Sequence, residues 1–275
     1  MKIVVTGANG QLGREIAGRY GDQHQLVLTD VDNLDITDYE AVREFLTAIK
    51  PAAVIHCAAY TNVDGAESDR EGAFRVNAAG TRNLAAGCRD LAARMVYIST
   101  DYVFDGETDR PYRENDVPHP LNVYGTTKLQ GENFVREIAP RHYILRTAWL
   151  YGEGKNFVRT MLKLARERDS LQVVNDQIGT PTYTKDLATA IFKLLAADAY
   201  GTYHASNNGA ASWYDFAVKI FELAGVKTPV APVPTAAFPR PARRPKYSVL
   251  ENYRLAGTVG DPMRPWEEAL ADYLG

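Results

Sequence analysis

The sequence predicts an α/β fold, a doubly wound parallel sheet that carries a smaller C-terminal lobe. Three observations predict it. Short apolar runs alternate with helical patterns across residues 1–150. A glycine triplet joins the first run to the first helix. Beyond Tyr151 the alternation loosens, so the remainder cannot repeat the pattern. Apolar strands alternating with helices imply parallel strands covered on both faces, the Rossmann-type arrangement.

Taken in order, Ile3-Val4-Val5 is the first strand and Leu12 to Tyr20 the first helix. Gln25-Leu26-Val27-Leu28 precedes a helix from Tyr39 to Ile49. Ala53-Val54-Ile55 precedes a long helix from about residue 69 to 92. Met95-Val96-Tyr97-Ile98 is the fourth strand, and Tyr143-Ile144-Leu145 the fifth, after a helix over about 123–138. Later helices are expected at Phe157 to Arg166, Lys185 to Leu195, Trp213 to Leu223 and Trp266 to Tyr273. Thr228 to Pro245 holds six prolines and reads as an extended loop. Residues 1–148 form the dinucleotide-binding domain, with 185–206 returning to it; 149–184 and 207–275 form the substrate-binding lobe. His204 lies in Gly201-Thr202-Tyr203-His204-Ala205-Ser206, a strand, and is structural.

Composition narrows the function. Lys plus Arg is 31 and Asp plus Glu 34, a net charge of −3, which argues against a protein that coats nucleic acid. Two cysteines, Cys57 and Cys88, suggest a reducing, cytoplasmic setting without a structural bridge. No apolar run is long enough to span a bilayer.

Thr6-Gly7-Ala8-Asn9-Gly10-Gln11-Leu12-Gly13 follows the first strand and opens the first helix. Gly7 permits a tight turn, Gly10 lets backbone approach a diphosphate, and Gly13 lets the helix pack close to the sheet. The helix N-terminus then offers N–H groups and partial positive charge. Asp30 closes the second strand, where a carboxylate accepts hydrogen bonds from an adenosine ribose. Its neighbour is Val31, with no arginine to meet a 2′-phosphate, which weighs mildly toward NADH over NADPH. Asp35 and Ile36 read equally as an adenine contact or as the cap of the helix that begins at Tyr39.

Tyr124 and Lys128 stand four residues apart on one helix face. Reducing a ketone needs a proton for the developing alkoxide. A free tyrosine has a pKa of about 10, and lowering it by about 3 units takes about 4 kcal/mol. A cation about 4 Å away at an effective dielectric of 20 supplies about that, so Lys128 is expected to tune Tyr124 while binding a ribose hydroxyl. The fourth strand ends in Ser99-Thr100-Asp101, at the carboxyl edge where open parallel sheets bind ligands. Ser99 and Thr100 would present hydroxyls to the carbonyl oxygen.

Together these motifs resemble the extended short-chain dehydrogenase/reductase superfamily. Longer runs are similar to the dTDP-4-dehydrorhamnose reductase family: Tyr97 to Gly106, Pro120 to Lys128, Arg146 to Gly152, Asn156 to Val158, Asn175 to Thr182 and Arg243 to Ser248. The resemblance implies NADH- or NADPH-dependent reduction of the C4 ketone of dTDP-4-dehydro-6-deoxy-L-mannose to dTDP-L-rhamnose. It implies Tyr124 as proton donor, Lys128 as its tuner and Thr100 as the catalytic threonine. Asp101, Trp149 and Asn156 fall on the substrate side. Gln11 and Leu12, with Gly10, match the diphosphate loop; Ala59, Tyr60 and Thr61 match the loop near ribose and nicotinamide. Position 60 is tyrosine where the family often has histidine. Some members are reported to bind magnesium at a dimer interface; no ligand set follows here, and monomer and homodimer both stay open.

A sugar nucleotide carries a diphosphate, so its site needs cations. Arg240, Arg243, Arg244 and Lys246 fall within seven residues with no acid between them. At least one is expected to hold the substrate diphosphate, against a solvated basic loop. Two other readings share these residues: a nucleotide-sugar epimerase or dehydratase, with Asp101 as added acid, and a non-enzymatic regulatory homologue.

Overall fold

The computed structural model describes residues 1–275. Strand β1 (Lys2–Thr6) leads through the glycine turn into α1 (Gln11–Tyr20), then β2 (Gln25–Thr29), α2 (Tyr39–Ile49) and β3 (Ala53–His56). Next come α3 (Val63–Ser68), α4 (Arg70–Phe74), a π-helical turn (Arg75–Gly80), α5 (Thr81–Asp90) and β4 (Arg94–Thr100). A 3-10 turn (Asp101–Val103) precedes α6 (Val123–Ile138) and β5 (His142–Thr147). The lobe begins with β6 (Leu150–Tyr151), α7 (Phe157–Glu167), β7 (Leu171–Val174), β8 (Ile178–Gly179) and β9 (Thr182–Tyr183). The chain continues with α8 (Thr184–Ala197), β10 (Gly201–His204), β11 (Ala211–Ser212), α9 (Trp213–Ala224), β12 (Val230–Val233), α10 (Tyr253–Val259) and α11 (Trp266–Leu274).

Six parallel strands form the sheet, in the order β10-β5-β4-β3-β1-β2. The order reverses between β1 and β3, and ligands of such sheets bind in the crevice at that reversal. Alternation along β1 decides the layers. Ile3 and Val5 join Leu12 and Ile16 of α1 and Leu187 and Ile191 of α8 on one face. Val4 joins Val42 and Leu46 of α2 and Leu84 of α5 on the other. Burying each such side chain is worth about 1.5–3 kcal/mol, so the period of two fixes which face each strand residue takes. A third core, with Tyr151, Val158, Phe216 and Trp266, belongs to the lobe. No helix is long and apolar enough to cross a membrane.

Two elements differ from the sequence reading. The long helix expected over 69–92 runs without a break over residues 70–90, but its middle, Arg75–Gly80, is π-helical. π-Helical turns concentrate at functional sites, and this one carries Asn77 into the loop described below. The proline-rich segment contains β12, which pairs in parallel with β7 through Val230↔Leu171 to Val233↔Val174. Pro232 is tolerated because that small sheet has two strands and both are edges.

Candidate active site

The crevice at the strand reversal consists of two adjoining clefts of about 540 and about 500 Å³. They share Gly7, Asn9, Gly10, Cys57, Ala59 and Thr61. The larger also takes in Gln11, Leu12, Gly13, Ser99, Thr100, Asp101, Tyr124, Lys128 and Trp149. The smaller takes in Asp30, Asp35, Ile36 and Tyr60. The fold therefore brings to one crevice residues that the chain spreads over 143 positions, from Gly7 to Trp149.

The glycine turn explains the first wall. Gly7 has φ +66°, and a Cβ there would lie 2.6 Å from the backbone nitrogen of Ala58. Gly10 is the N-cap of α1 and supplies no side-chain cap. The N–H groups of Gln11, Leu12 and Gly13 take no protein acceptor, and the buried Oε1 of Gln11 has no partner. Uncapped N–H groups beside a close backbone approach suit a diphosphate. The residues present therefore fit a dinucleotide.

At the adenosine end, both Asp30 oxygens accept backbone N–H groups, Oδ2 from Asn9 and Oδ1 from Val31, each at 2.9 Å. Asp35 is not the helix cap: its Oδ1 takes the Thr37 N–H at 2.9 Å, and Asp38 caps α2 through Ala41 at 3.0 Å. The loop of Ala59, Tyr60 and Thr61 is clamped by Asn77, which sequence reasoning missed. Its Oδ1 accepts the Tyr60 N–H at 2.8 Å, and its Nδ2 donates to the Tyr60 carbonyl at 3.2 Å and to Thr127 Oγ1 at 3.1 Å. A lone asparagine inside a helical run gives no signal; the π-helical turn that aims it is not visible in residue spacing.

The catalytic wall is built by the end of β4 and the start of α6. Thr100 Oγ1 accepts the Tyr102 N–H at 3.2 Å and donates to Asp101 Oδ1 at 3.0 Å. Burial pushes Tyr124 up to about 12; the Asp101 charge adds to the rise and the Thr100 hydroxyl opposes it. Lys128 is not among these influences on the resting phenol. Its ammonium lies 4.1 Å from the centre of the Tyr97 ring and hydrogen-bonds to no protein atom. Burial brings Lys128 down to about 7, with the charges of Glu132 and Cys57 opposing the fall.

Ser99 is also corrected. Its hydroxyl donates to Glu132 Oε1 at 2.6 Å, so it is turned to a buried ion pair rather than offered to a carbonyl. Glu132 and Arg146 are 0% and 1% exposed. Arg146 donates Nε to Oε1 at 2.9 Å and a terminal nitrogen to Oε2 at 2.8 Å, and Arg136 joins from the same helix. Burial alone would raise the Glu132 carboxyl; the two arginines and Ser99 outweigh it and hold it below the usual range.

Trp149 forms the far wall in a left-handed conformation, φ +46°. For a bulky residue that backbone is strained and persists only when its surroundings enforce it. The enforcement is visible: the indole stacks on Trp213 at 3.6 Å and covers Gly179, where a Cβ would lie 2.6 Å from the ring.

Other expected substrate residues lie elsewhere. Asn156 lines neither cleft. It caps α7, accepting the Arg159 N–H at 2.9 Å and donating to the Gly152 carbonyl at 2.6 Å and to the Tyr273 hydroxyl at 3.0 Å. Arg240, Arg243 and Arg244 line neither cleft. No acid interrupts their run, but the fold supplies one: Asp64 of α3 takes Arg244 through two nitrogens at 2.9 Å each, with Arg240 3.9 Å away. Besides Lys128, the basic residues that do line the larger cleft are Arg14 and Lys155. No motif marks either, and Arg14 reaches Glu153 at 3.5 Å across the mouth. His204 is buried, with Nδ1 3.0 Å from the Tyr112 carbonyl, and burial beside Arg146 lowers it to about 3. No group of three or more His, Cys, Asp or Glu side chains comes together to hold a metal ion.

Comparison with known proteins agrees along the whole chain. The family described as the RmlD substrate binding domain matches residues 1–275. A dTDP-4-dehydrorhamnose reductase of Streptomyces griseus is 44% identical over 98% of this chain and 91% of its own. The crystal structure of a dTDP-4-dehydrorhamnose reductase from Clostridium acetobutylicum is 52% identical, covers 100% of this chain and 98% of its own, and has a TM-score of 0.98. That of the Bacillus anthracis reductase, in complex with NADP, is 45% identical, covers 99% and 98%, and has a TM-score of 0.95. With the glycine loop, the Tyr124–Lys128 pair and the Thr100 strand end gathered in one crevice, and with full-length identity of this order, the chain belongs to the RmlD substrate binding domain family, the family of the dTDP-4-dehydrorhamnose reductases.

Proposed function

We propose that this protein reduces the C4 ketone of dTDP-4-dehydro-6-deoxy-L-mannose to give dTDP-L-rhamnose. The observation that carries the reading is the shared crevice. The Tyr124 phenol and Thr100 hydroxyl stand between an uncapped glycine turn and the Trp149 wall. A reduced nicotinamide dinucleotide, when bound, supplies the hydride. Tyr124 gives its phenolic proton to the C4 alkoxide and regains one from solvent. Thr100, whose own proton goes to Asp101, offers its oxygen as an acceptor beside Tyr124 and so holds the proton donor in place. Lys128 binds a ribose hydroxyl and, when protonated, stabilises the phenolate left behind. Trp149 closes one side of the sugar, and Asp101, whose two oxygens take protein hydroxyls, acts through Thr100. Arg243 is exposed and outside any ion pair and is placed to meet the diphosphate, whereas Arg240 lies 3.9 Å from Asp64 and Arg244 reaches the diphosphate only by leaving Asp64.

The test supplies the 4-keto sugar nucleotide with NADH or NADPH and follows the loss of nicotinamide absorbance. Turnover with neither coenzyme sinks the proposal. Substrate conversion with no net coenzyme loss would assign the epimerase or dehydratase reading instead. Against that reading, both Asp101 oxygens are already engaged by hydroxyls, from Thr100 and from Ser248.

The smaller cleft bears on coenzyme choice. Asp30 and Asp35 line it and no Lys or Arg does. A 2′-phosphate there would face like charge, so kcat/KM for NADH is expected to exceed that for NADPH. Asp30→Ser should narrow the ratio by about tenfold, the equivalent of one charge-assisted hydrogen bond. An unchanged ratio in the variant would mean that Asp30 does not select the coenzyme.

A further inference from the structure

The strap of residues 245–248 lies across the join between sheet domain and lobe. On the lobe side it pairs with β8: the Ile178 N–H donates to the Lys246 carbonyl, and the Ser248 N–H to the Ile178 carbonyl, both at 2.7 Å. On the sheet side Pro245 and Lys246 press on Gly106, whose φ is +81° and where a Cβ would lie 2.7 Å from Pro245. Held from both sides, the strap delivers one buried hydroxyl to the catalytic wall. Ser248 is 2% exposed and donates to Asp101 Oδ2 at 2.6 Å.

Asp101 is 3% exposed and has no ion-pair partner. Its carboxylate is held by hydroxyls instead, Ser248 on one oxygen and Thr100 on the other. A hydroxyl has a single proton. While the Asp101 oxygen accepts it, the Thr100 proton is committed to Asp101, and the Thr100 oxygen is left to accept, from the Tyr102 N–H and from the Tyr124 side. If Asp101 is neutral that commitment is lost. We propose that Ser248 is a positioning residue: from the strap it keeps Asp101 an ionised acceptor and so fixes the direction in which the Thr100 hydroxyl donates. The inference rests on the ketoreductase reading only for its kinetic arm.

The surroundings make Ser248 decisive. Burial is the largest influence on Asp101 and pushes it up to about 6; the Ser248 and Thr100 hydroxyls are the main side-chain groups opposing the rise. The other titratable groups facing it are phenols, Tyr102 from its own turn and Tyr124 from α6, which stay neutral because burial raises both. Arg244, from the segment just before the strap, acts on Tyr102 and is itself paired with Asp64. Deleting one hydrogen bond to a buried carboxylate is therefore expected to raise its pKa by about one unit.

Two measurements test this. In the reductase assay, the acid limb of kcat/KM should fall near pH 6 and move up by about one unit in Ser248→Ala. Ser248→Thr should restore it. Independently of turnover, the 13C carboxyl resonance of Asp101, identified by its loss in Asp101→Asn, should titrate about one unit higher in Ser248→Ala. Ser248→Cys, which keeps the size and weakens the donor, carries the same test if the alanine variant does not fold. A resonance that titrates at the wild-type pH in the variant overturns the proposal. Absence of turnover in the wild type would overturn the ketoreductase reading and leave the resonance test standing.

Discussion

Tyr124→Phe is expected to lower kcat by about 10²- to 10⁴-fold, the range for losing a positioned general acid. The dissociation constant for NADH, from quenching of protein fluorescence, should stay within a few-fold. Removing one hydroxyl keeps the ring and its edge-on packing against Tyr102, 6.0 Å between centroids. With its pKa pushed up to about 12, the phenol holds its proton throughout the working range. It is therefore a donor in waiting, and its acidity must rise as charge develops on the substrate oxygen. A fall in coenzyme affinity matching the fall in kcat would instead mean that the hydroxyl organises the site. Activity within tenfold of wild type would mean that Tyr124 is not the acid.

Glu132→Ala is expected to cost about 3–5 kcal/mol of folding stability, the range for removing one partner of a buried pair. The variant leaves Arg146, 1% exposed, without its carboxylate, and Ser99 without its acceptor. The check is a urea unfolding curve with its midpoint lowered and its slope unchanged. A loss under about 1 kcal/mol, typical of surface substitutions, would show that water or His204 takes over the charge. The pair also gives stability a pH dependence. Because the native Glu132 value is depressed, its contribution is complete above the ordinary glutamate value of 4.5 and disappears as pH falls through the native value.

The main sheet was legible because its signals are local. Each of its first five strands contains a short apolar run, and the glycine turn, the strand-end hydroxyls and the Tyr124–Lys128 spacing each lie within a few residues. What escaped depends on partners far along the chain. The arginine run looked free because its acid, Asp64, lies 180 residues from Arg244. Ser99 looked catalytic because Glu132 is 33 residues away. Asn156 matched a family run, yet the side chain is taken up by a helix cap and by Tyr273, 117 residues on. The resting titration of the Tyr124–Lys128 pair was hidden for another reason. Spacing on a helix places two side chains on one face but says nothing of burial, and burial dominates both groups.

The sixth strand has a consequence for how the polypeptide comes off the ribosome. β10 pairs with β5, Gly201 against Tyr143, and the intervening residues build half of the lobe. Until that strand emerges, β5 is a bare edge with unpaired backbone groups and buried-type side chains at Tyr143 and Leu145. Such edges invite wrong pairing during synthesis. A nascent chain stopped near residue 150 would hold every glycine-loop residue yet lack both α8 and β10 from its core. The sheet of the nucleotide half thus cannot close until the first part of the lobe has been made.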